Sequence, residues 1–159
     1  MVFELSDFEK DYAKLEKKYG LPSFQKINED FEIDKIERET RYVLRLIRKV
    51  MMEKIINSIT FLEMLLNPIN TPRIYFAYAH GMSAEDRKEI ERLYQTLGKL
   101  SIISLDAEVD YIEKREAELI KQINNTWHSL KPGFRTILKH MQQPNGASNV
   151  AKKEKSYFG

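Results

Sequence analysis

The sequence predicts an all-α protein, an antiparallel helical bundle built on two long helices with shorter helices flanking them. Apolar residues recur every three or four positions along most of the chain, as they do on one face of a helix. Two long stretches, 34–67 and 84–130, contain no proline. The sequence pattern shows neither strand-like alternation nor hairpin turns. A chain of 159 residues, 42% of them hydrophobic, is long enough for one domain with its own core.

The first helix is predicted at Leu5–Tyr19, where apolar residues follow the spacing of one helix face. Ser6 and Glu9 have the spacing of a capping box, which favours a helix start. Gly20 is a common residue type just after a helix end. The segment 21–33 mixes aromatic and polar residues, and it predicts a short helix or an ordered loop.

The first long helix is predicted from Asp34, as its N-cap, to Asn67, with Pro68 immediately after it. At about 100° per residue, the apolar side chains fall on one face. They are Ile36, Val43, Ile47, Val50, Met51, Phe61, Leu62 and Leu65. Lys54 lies near the middle of that face. We expect its aliphatic stem to pack inside while its ammonium reaches solvent or a carboxylate, and a catalytic lysine is the alternative.

The second long helix is predicted over residues 84–130, and Ser83 with Asp86 forms a second cap-like signal before it. Gly98 and the polar residues after it weaken the helical pattern. We therefore expect a kink or a short break near 98–107.

Two shorter helices complete the predicted bundle. Thr71–Pro72 could start a short helix that Gly81 would stop. Pro132–Gly133 is expected to separate a final short helix, Phe134–Met141, from the long one.

Residues 1–141 are predicted to form the bundle domain, and residues 142–159 a flexible basic tail. The tail is too polar to order itself by burial. The whole chain has a formal net charge of +2, but residues 131–159 hold six basic side chains and one acidic one. An anionic partner is therefore expected at this end. Glu4 stands where a signal peptide would carry a basic residue, and no window is apolar enough to span a membrane. We expect a cytoplasmic protein with no membrane partner.

No known catalytic or cofactor motif is present in the sequence. The absence of cysteine excludes disulfides, thiolate nucleophiles and zinc sites built on sulfur. Phosphate-binding glycine loops, the nucleophile elbow and the zinc-protease motif are missing. None of the three histidines follows a glutamate by three positions, which excludes the usual di-iron ligand set of helical bundles. We expect no cofactor and no metal.

Four arginines recur every three or four residues on the first long helix, on the side opposite its apolar face. They are Arg38, Arg41, Arg45 and Arg48. Guanidinium groups in such a row can grip phosphates or carboxylates with paired hydrogen bonds. The same residues are also explained by a solvated, salt-bridged face or by pairing with the acidic stretch 108–116. The sequence leaves both interpretations open.

Tyr157 and Phe158 stand at the end of the basic tail. Polar tails usually lack aromatic residues, so this pair predicts a short docking motif that becomes ordered on a partner. The alternatives are a terminus that folds back onto the body and a terminus with no role.

Arg135 and His140 are separated by four residues in the last predicted helix. This resembles the R-x4-6-H motif of the HEPN family of helical proteins, whose nuclease members bring two such motifs together across a dimer to cut RNA. The resemblance implies that Arg135 stabilises phosphate charge and that His140 transfers a proton. It covers residues 135–140 and the helical fold. After the arginine, where active members usually carry Asn, Asp or His, this chain has Thr136.

The function favoured by the sequence is that of a non-catalytic interaction or scaffold protein. It would bind a partner through the basic helix face and the C-terminal tail. A protein is the favoured partner class and a nucleic acid is the other. Long apolar helix faces also predict self-association into a homodimer. The alternative function is a HEPN-like helical ribonuclease or nucleotide-binding protein that uses Arg135 and His140.

Overall fold

A computed structural model describes residues 4–36 and 41–143, with side chains from residue 7 onwards. Six α-helices and one 3-10 turn occupy these residues, and no strand occurs among them. The all-α class is confirmed. The helices are α1 (Glu4–Tyr19), α2 (Phe24–Phe31), α3 (Val43–Leu66), α4 (Arg73–Gly81), α5 (Ala84–Val109) and α6 (Glu113–Met141). The 3-10 turn is Ile33–Lys35, between α2 and α3.

The chain divides into two compact units. The first unit comprises Met1–Ile56 and Leu100–His128, and the second comprises Asn57–Lys99 and Ser129–Gly159. The long helices α3, α5 and α6, of 24, 26 and 29 residues, each supply residues to both units. Three long helices therefore carry the fold, where the sequence predicted two.

Each unit has its own set of buried apolar side chains. In the first unit the fully buried ones include Tyr12, Ile27, Ile33, Leu44, Ile47, Met51, Ile55, Ile120 and Ile123. In the second unit they include Leu62, Leu65, Ile90, Leu93, Leu97 and Ile137. Burial at three- and four-residue intervals along the helices explains why the apolar periodicity predicted them.

α1 ends where the sequence predicts and begins slightly earlier. Gly20 follows its last residue with φ of 64°, a left-handed conformation that glycine adopts without strain. The helix begins at Glu4, so Ser6 lies inside the first turn and not at the cap. Ser23 caps α2, because its hydroxyl accepts a hydrogen bond from the backbone N–H of Lys26 at 3.3 Å. Of the two alternatives for this segment, the short helix is confirmed.

The start of α3 differs from the prediction. Glu32 is left-handed, with φ of 52°, and Ile36 is extended, so the backbone between them cannot form a continuous α-helix. Asp34 lies in the 3-10 turn, and its N–H donates to Asn28 Oδ1 at 2.9 Å. The predicted N-cap is therefore wrong, and α3 begins at Val43.

Several other predicted helix ends lie within one or two residues of the observed ones. α3 ends at Leu66 before Pro68, α4 lies between Pro72 and Met82, α5 begins at Ala84 and α6 ends at Met141. At the start of α5, Ser83 Oγ accepts a hydrogen bond from the Asp86 N–H at 3.1 Å, as the cap-like spacing predicts.

The interruption between α5 and α6 lies at 110–112, not near 98–107. α5 continues through Gly98 because Leu97, Leu100 and Ala107 are buried. Their packing outweighs the helix-propensity cost of a glycine, about 1 kcal/mol. Apart from its chain neighbours and the nearby backbone of α5, no described atom lies within 4 Å of the place where a Cβ on Gly98 would be.

α6 runs through Pro132, so the predicted separate helix at Phe134–Met141 is instead its last part. A proline removes one helical hydrogen bond. Leu130, two residues before Pro132, is buried, and its packing stabilises the helix there. At Gly133, an added Cβ would overlap Glu89 Oε1 and lie 3.2 Å from Leu93 Cδ2. Glycine here allows α6 to approach α5 closely within the second unit.

Candidate functional site

The predicted arginine row contains both exposed and buried residues. Arg38 lies outside the described residues, and Arg41 is exposed. The side chain of Arg45 is 20% exposed, and that of Arg48 only 1%. The prediction that the row lies opposite the apolar face is wrong for Arg48, which lies within the core of the first unit. A buried carboxylate beside it makes this burial tolerable.

Arg48 and Glu116 form a buried ion pair that joins α3 to α6. Both side chains are 1% exposed, and Arg48 Nε donates to Glu116 Oε2. Arg48 Nη1 donates to Ser104 Oγ at 2.7 Å, and Nη2 donates to Glu108 Oε1 at 2.5 Å. Each guanidinium nitrogen has an acceptor inside the first unit, which offsets the cost of removing the charge from water.

Arg45 extends the same cluster. Its Nε donates to Glu116 Oε1 at 3.0 Å, and its Nη2 donates to the carbonyl oxygen of Ala107 at 2.8 Å. Its guanidinium carbon also lies 5.2 Å from the centre of the Tyr111 ring, a cation–π contact. Residue 45 meets 107 while residue 48 meets 104, so α3 and α5 are antiparallel in the first unit, as the bundle prediction requires.

Two members of the cluster, Arg48 and Glu108, have pKa values shifted toward their charged forms. Burial by itself lowers the pKa of Arg48, but the hydrogen bonds to Glu116 and Glu108 outweigh it, and the net shift is upward. Burial is also the largest single effect on the pKa of Glu108 and raises it, but Arg48 and Lys49 together outweigh burial and the net shift is downward. For Arg45 and Arg48, internal pairing with the acidic stretch is therefore the interpretation that describes the structure.

A row of exposed aliphatic residues follows the outer side of the C-terminal half of α5 and the connection after it. We call it the α5 stripe: Ile102, Leu105, Val109 and Ile112, which are 69%, 66%, 76% and 51% exposed. The largest apolar patch on a protein surface is often functional, so the stripe is a candidate interaction site.

The acids beside the α5 stripe are ion-paired within the first unit. Asp106 pairs with Arg115. Glu108 contacts Arg48 and also lies 3.3 Å from Lys49 Nζ. The surroundings of the stripe therefore carry less free charge than the sequence suggests.

The sequence analysis did not identify this surface, because either of two faces of this part of α5 could have been the buried one. The buried face holds the small residues Ser104 and Ala107, while the larger aliphatic residues point outward. Hydrophobicity alone predicts that the larger aliphatic residues are buried and the small residues exposed. The signal that could have found the stripe is its spacing of three, four and three residues, separate from the buried set.

Asp86 links α4, α5 and α6 in the second unit. The Tyr78 hydroxyl donates to Asp86 Oδ2 at 2.7 Å. His140 Nδ1 lies 2.8 Å from Oδ2 and 3.0 Å from Oδ1. The Asp86 side chain is 11% exposed, and that of His140 is 41% exposed. Burial first, and then the hydrogen bond to Asp86, raises the pKa of Tyr78, so its hydroxyl stays protonated and donates.

This contact fixes the orientation of the His140 ring. A carboxylate at Nδ1 favours the tautomer with its proton there, which leaves Nε2 as the proton acceptor. Among the described residues, Nε2 has no hydrogen-bond partner. A partly exposed imidazole held in this way can accept and return a proton.

Arg135, the partner of His140 in the predicted motif, is not brought to this histidine by α6. Arg135 is exposed, and five helical residues place it about 140° around α6 from His140. The two side chains therefore do not share one face of the helix. Tyr157 and Phe158 lie outside the described residues.

Lys54 lies on the apolar face of α3, and one of its partners is a backbone carbonyl. Its Nζ donates to the backbone oxygen of Asp30. It also lies 5.1 Å from the centre of the Trp127 ring and 5.7 Å from that of Phe31. The Asp30 carboxylate lies 3.2 Å from His128 Nε2. These contacts tie α2 to α3 and α6 in the first unit.

In the described part of the chain, no group of three or more His, Cys, Asp or Glu side chains is placed to hold a metal ion. Of the described helices, none combines the length and apolar character needed to cross a membrane. Compared with known proteins, the chain matches no family model, no curated protein and no solved structure.

Proposed function

We propose that this chain is a non-catalytic interaction protein and that the α5 stripe is its contact surface. The observation that carries the proposal is the exposure of Ile102, Leu105 and Val109 on one side of α5, followed by the exposed Ile112. The nearby acids Asp106 and Glu108 are already ion-paired. Full burial of such side chains contributes about 1.5–3 kcal/mol each. A partner that covers the stripe recovers much of this free energy.

The geometry supports the apolar stripe better than the basic face as the main contact. Arg45 and Arg48 use their donors on Glu116, Ser104, Glu108 and Ala107 inside the first unit. An anionic partner would have to break these bonds, and the lost pairing would offset its own contacts. Arg38 and Arg41, together with Tyr157 and Phe158 of the tail, stay predictions for a second contact.

Site-specific photo-crosslinking tests the proposal. A photoreactive amino acid is placed at Leu105 in the stripe or at Ile74 on α4, an exposed control position in the second unit. Cells are irradiated, and the adducts are identified by mass spectrometry. We expect a discrete adduct from position 105 and none from position 74. Equal labelling at both positions, or no adduct at either, would contradict a contact at the stripe.

A companion pull-down separates the remaining predictions. The full chain is compared with a chain that ends at Gln142, each with and without nuclease treatment. Loss of protein partners on truncation supports the tail as a docking segment. Recovery of nucleic acid by both chains supports a nucleic-acid partner that binds elsewhere.

His140 supports a second candidate function, acid–base chemistry of the kind that cuts RNA. The supporting observation is the hydrogen bond from Nδ1 to the buried Asp86, which leaves Nε2 facing outward from the pair. Arg135 could take part only from a second chain, because it points elsewhere on α6. Cleavage of a labelled RNA by the wild-type protein, lost in His140→Ala and kept in His80→Ala, is the expected result for this function. Equal activity of both variants would assign any cleavage to a contaminant.

A further inference from the structure

We infer that the partner covering the α5 stripe is a second copy of this chain, related by a two-fold axis. The inference rests on the proposed function and names the partner for the same surface. In a two-fold dimer the same patch of both copies meets, so the patch must complement itself. An uncharged aliphatic row can pack against an identical row, whereas a patch of one charge sign would repel its own copy.

The area of the stripe suits such a dimer. Exposures of 69%, 66%, 76% and 51% correspond to roughly 400–500 Å² of apolar surface per copy, as large as the largest patches that monomers carry. Two copies face to face would cover about 800–1,000 Å², below the roughly 1,200 Å² at which stable specific interfaces begin. Interfaces of this size are typically weak and transient, so we expect a reversible dimer with a dissociation constant in the micromolar range.

The charges around the stripe favour a second copy over a charged partner. Asp106 and Glu108 flank the row, and each already has a cationic partner in the same unit, Arg115 for the first and Arg48 for the second. Two copies can then approach without repulsion between these acids, and a cationic partner finds neither of them free. Asp110, exposed in the connection after α5, leaves one acidic side chain at the edge of the stripe.

The helical spacing of the stripe also fits a second copy. Ile102, Leu105 and Val109 are three and four residues apart, the spacing with which one helix packs alongside another. Every copy of the chain presents the same spacing, so a matching helix is present wherever the protein is concentrated.

Sedimentation velocity of the full chain tests the inference. The wild-type protein is run from about 1 to 200 µM, the range that brackets a micromolar dissociation constant. Ile102→Lys is compared with Ile74→Lys, because both isoleucines are 69% exposed and helical. We expect a concentration-dependent dimer in the wild type and in Ile74→Lys. In Ile102→Lys the dissociation constant should rise at least 100-fold, because two ammonium groups would be placed in one apolar contact.

Two further measurements complete the test. Leu105→Ser removes apolar area without adding charge and should weaken the dimer in the same direction, and circular dichroism checks that each variant keeps its helical content. The dissociation constant should not rise between low and high salt, since apolar contacts are not screened. A wild-type protein that stays monomeric over this range overturns the inference, and so does a dimer that survives both stripe substitutions.

The failure of this inference is distinguishable from the failure of the proposed function. A monomeric wild type that still forms a photo-adduct with a different protein from position 105 removes the second copy and keeps the interaction surface. A monomer that forms no adduct from that position removes both.

Discussion

Substitution of the buried pair Arg48–Glu116 gives the most direct test of how the first unit is held together. Glu116→Gln removes one charge from a site where both side chains are 1% exposed. Loss of one member of a buried pair typically costs about 3–5 kcal/mol. Arg48 keeps Ser104 and the half-exposed Glu108 as acceptors, so we expect a loss near the lower end, about 3 kcal/mol. Arg48→Met should cost a similar amount.

The coupling free energy between the two positions shows whether the ion pair itself or the packing of its side chains stabilises the first unit. Replacing both residues, Arg48→Met with Glu116→Gln, removes both charges of the fully buried pair. Arg45, which is 20% exposed, keeps the Ala107 carbonyl as an acceptor. The double variant should therefore cost at least about 2 kcal/mol less than the sum of the single variants.

Urea unfolding followed by circular dichroism measures these free energies, with the slope of the transition checked for each variant. The control is Lys35→Met, which breaks an ion pair of 2.5 Å between side chains that are 71% and 67% exposed. That variant should unfold like the wild type. The reasoning is refuted if Glu116→Gln is no less stable than the control, or if the double variant costs the full sum.

Three other predictions concern glycines and protons. Gly98→Ala should stabilise the protein by about 0.5–1 kcal/mol, since only its chain neighbours and the nearby backbone of α5 lie within 4 Å of the new methyl group. Gly133→Ala should be less favourable than Gly98→Ala, because its methyl group meets Glu89 and lies 3.2 Å from Leu93 Cδ2; urea midpoints give the difference. The raised pKa of Tyr78 contributes stability that is fully present at pH values below the unfolded-state pKa, near 10, and that is lost as the pH rises further. Tyr78→Phe should therefore reduce the loss of stability in alkaline solution. Hydrogen bonds from Tyr19 and then from Lys18 lower the pKa of Glu113. This contributes stability that is present at pH values above the unfolded-state pKa, near 4.5, and that is lost as the pH falls. Glu113→Gln should therefore make the melting temperature less dependent on pH in acid.

Local signals predicted most helix ends correctly. Gly20 and Ser83 specify their boundaries through backbone conformation and a single capping hydrogen bond, both of which involve only near neighbours in sequence. The predictions failed where distant packing outweighs local preference. Gly98 and Pro132 are poor helix residues, yet both lie inside long helices because their neighbours are buried.

In the candidate sites, too, some contacts could be predicted from the sequence while others depend on packing between distant residues. The acidic stretch offered partners for the arginines, and this part of the site could be predicted because opposite charges were the only requirement. The contact of Asp86 with His140 joins positions 54 residues apart, and no local pattern reports such a pair. The exposure of Leu105 beside a buried Ser104 depends on what packs against α5, so it appears only in the fold.

The surroundings of Trp127 give the protein a built-in optical reporter. It is the chain's single tryptophan, it is 8% exposed, and it lies in the first unit with the Lys54 ammonium 5.1 Å from its ring. Its fluorescence therefore follows the first unit alone, while far-ultraviolet ellipticity follows the helices of both units. Recording the two signals in one titration measures directly whether the units lose structure together or in sequence.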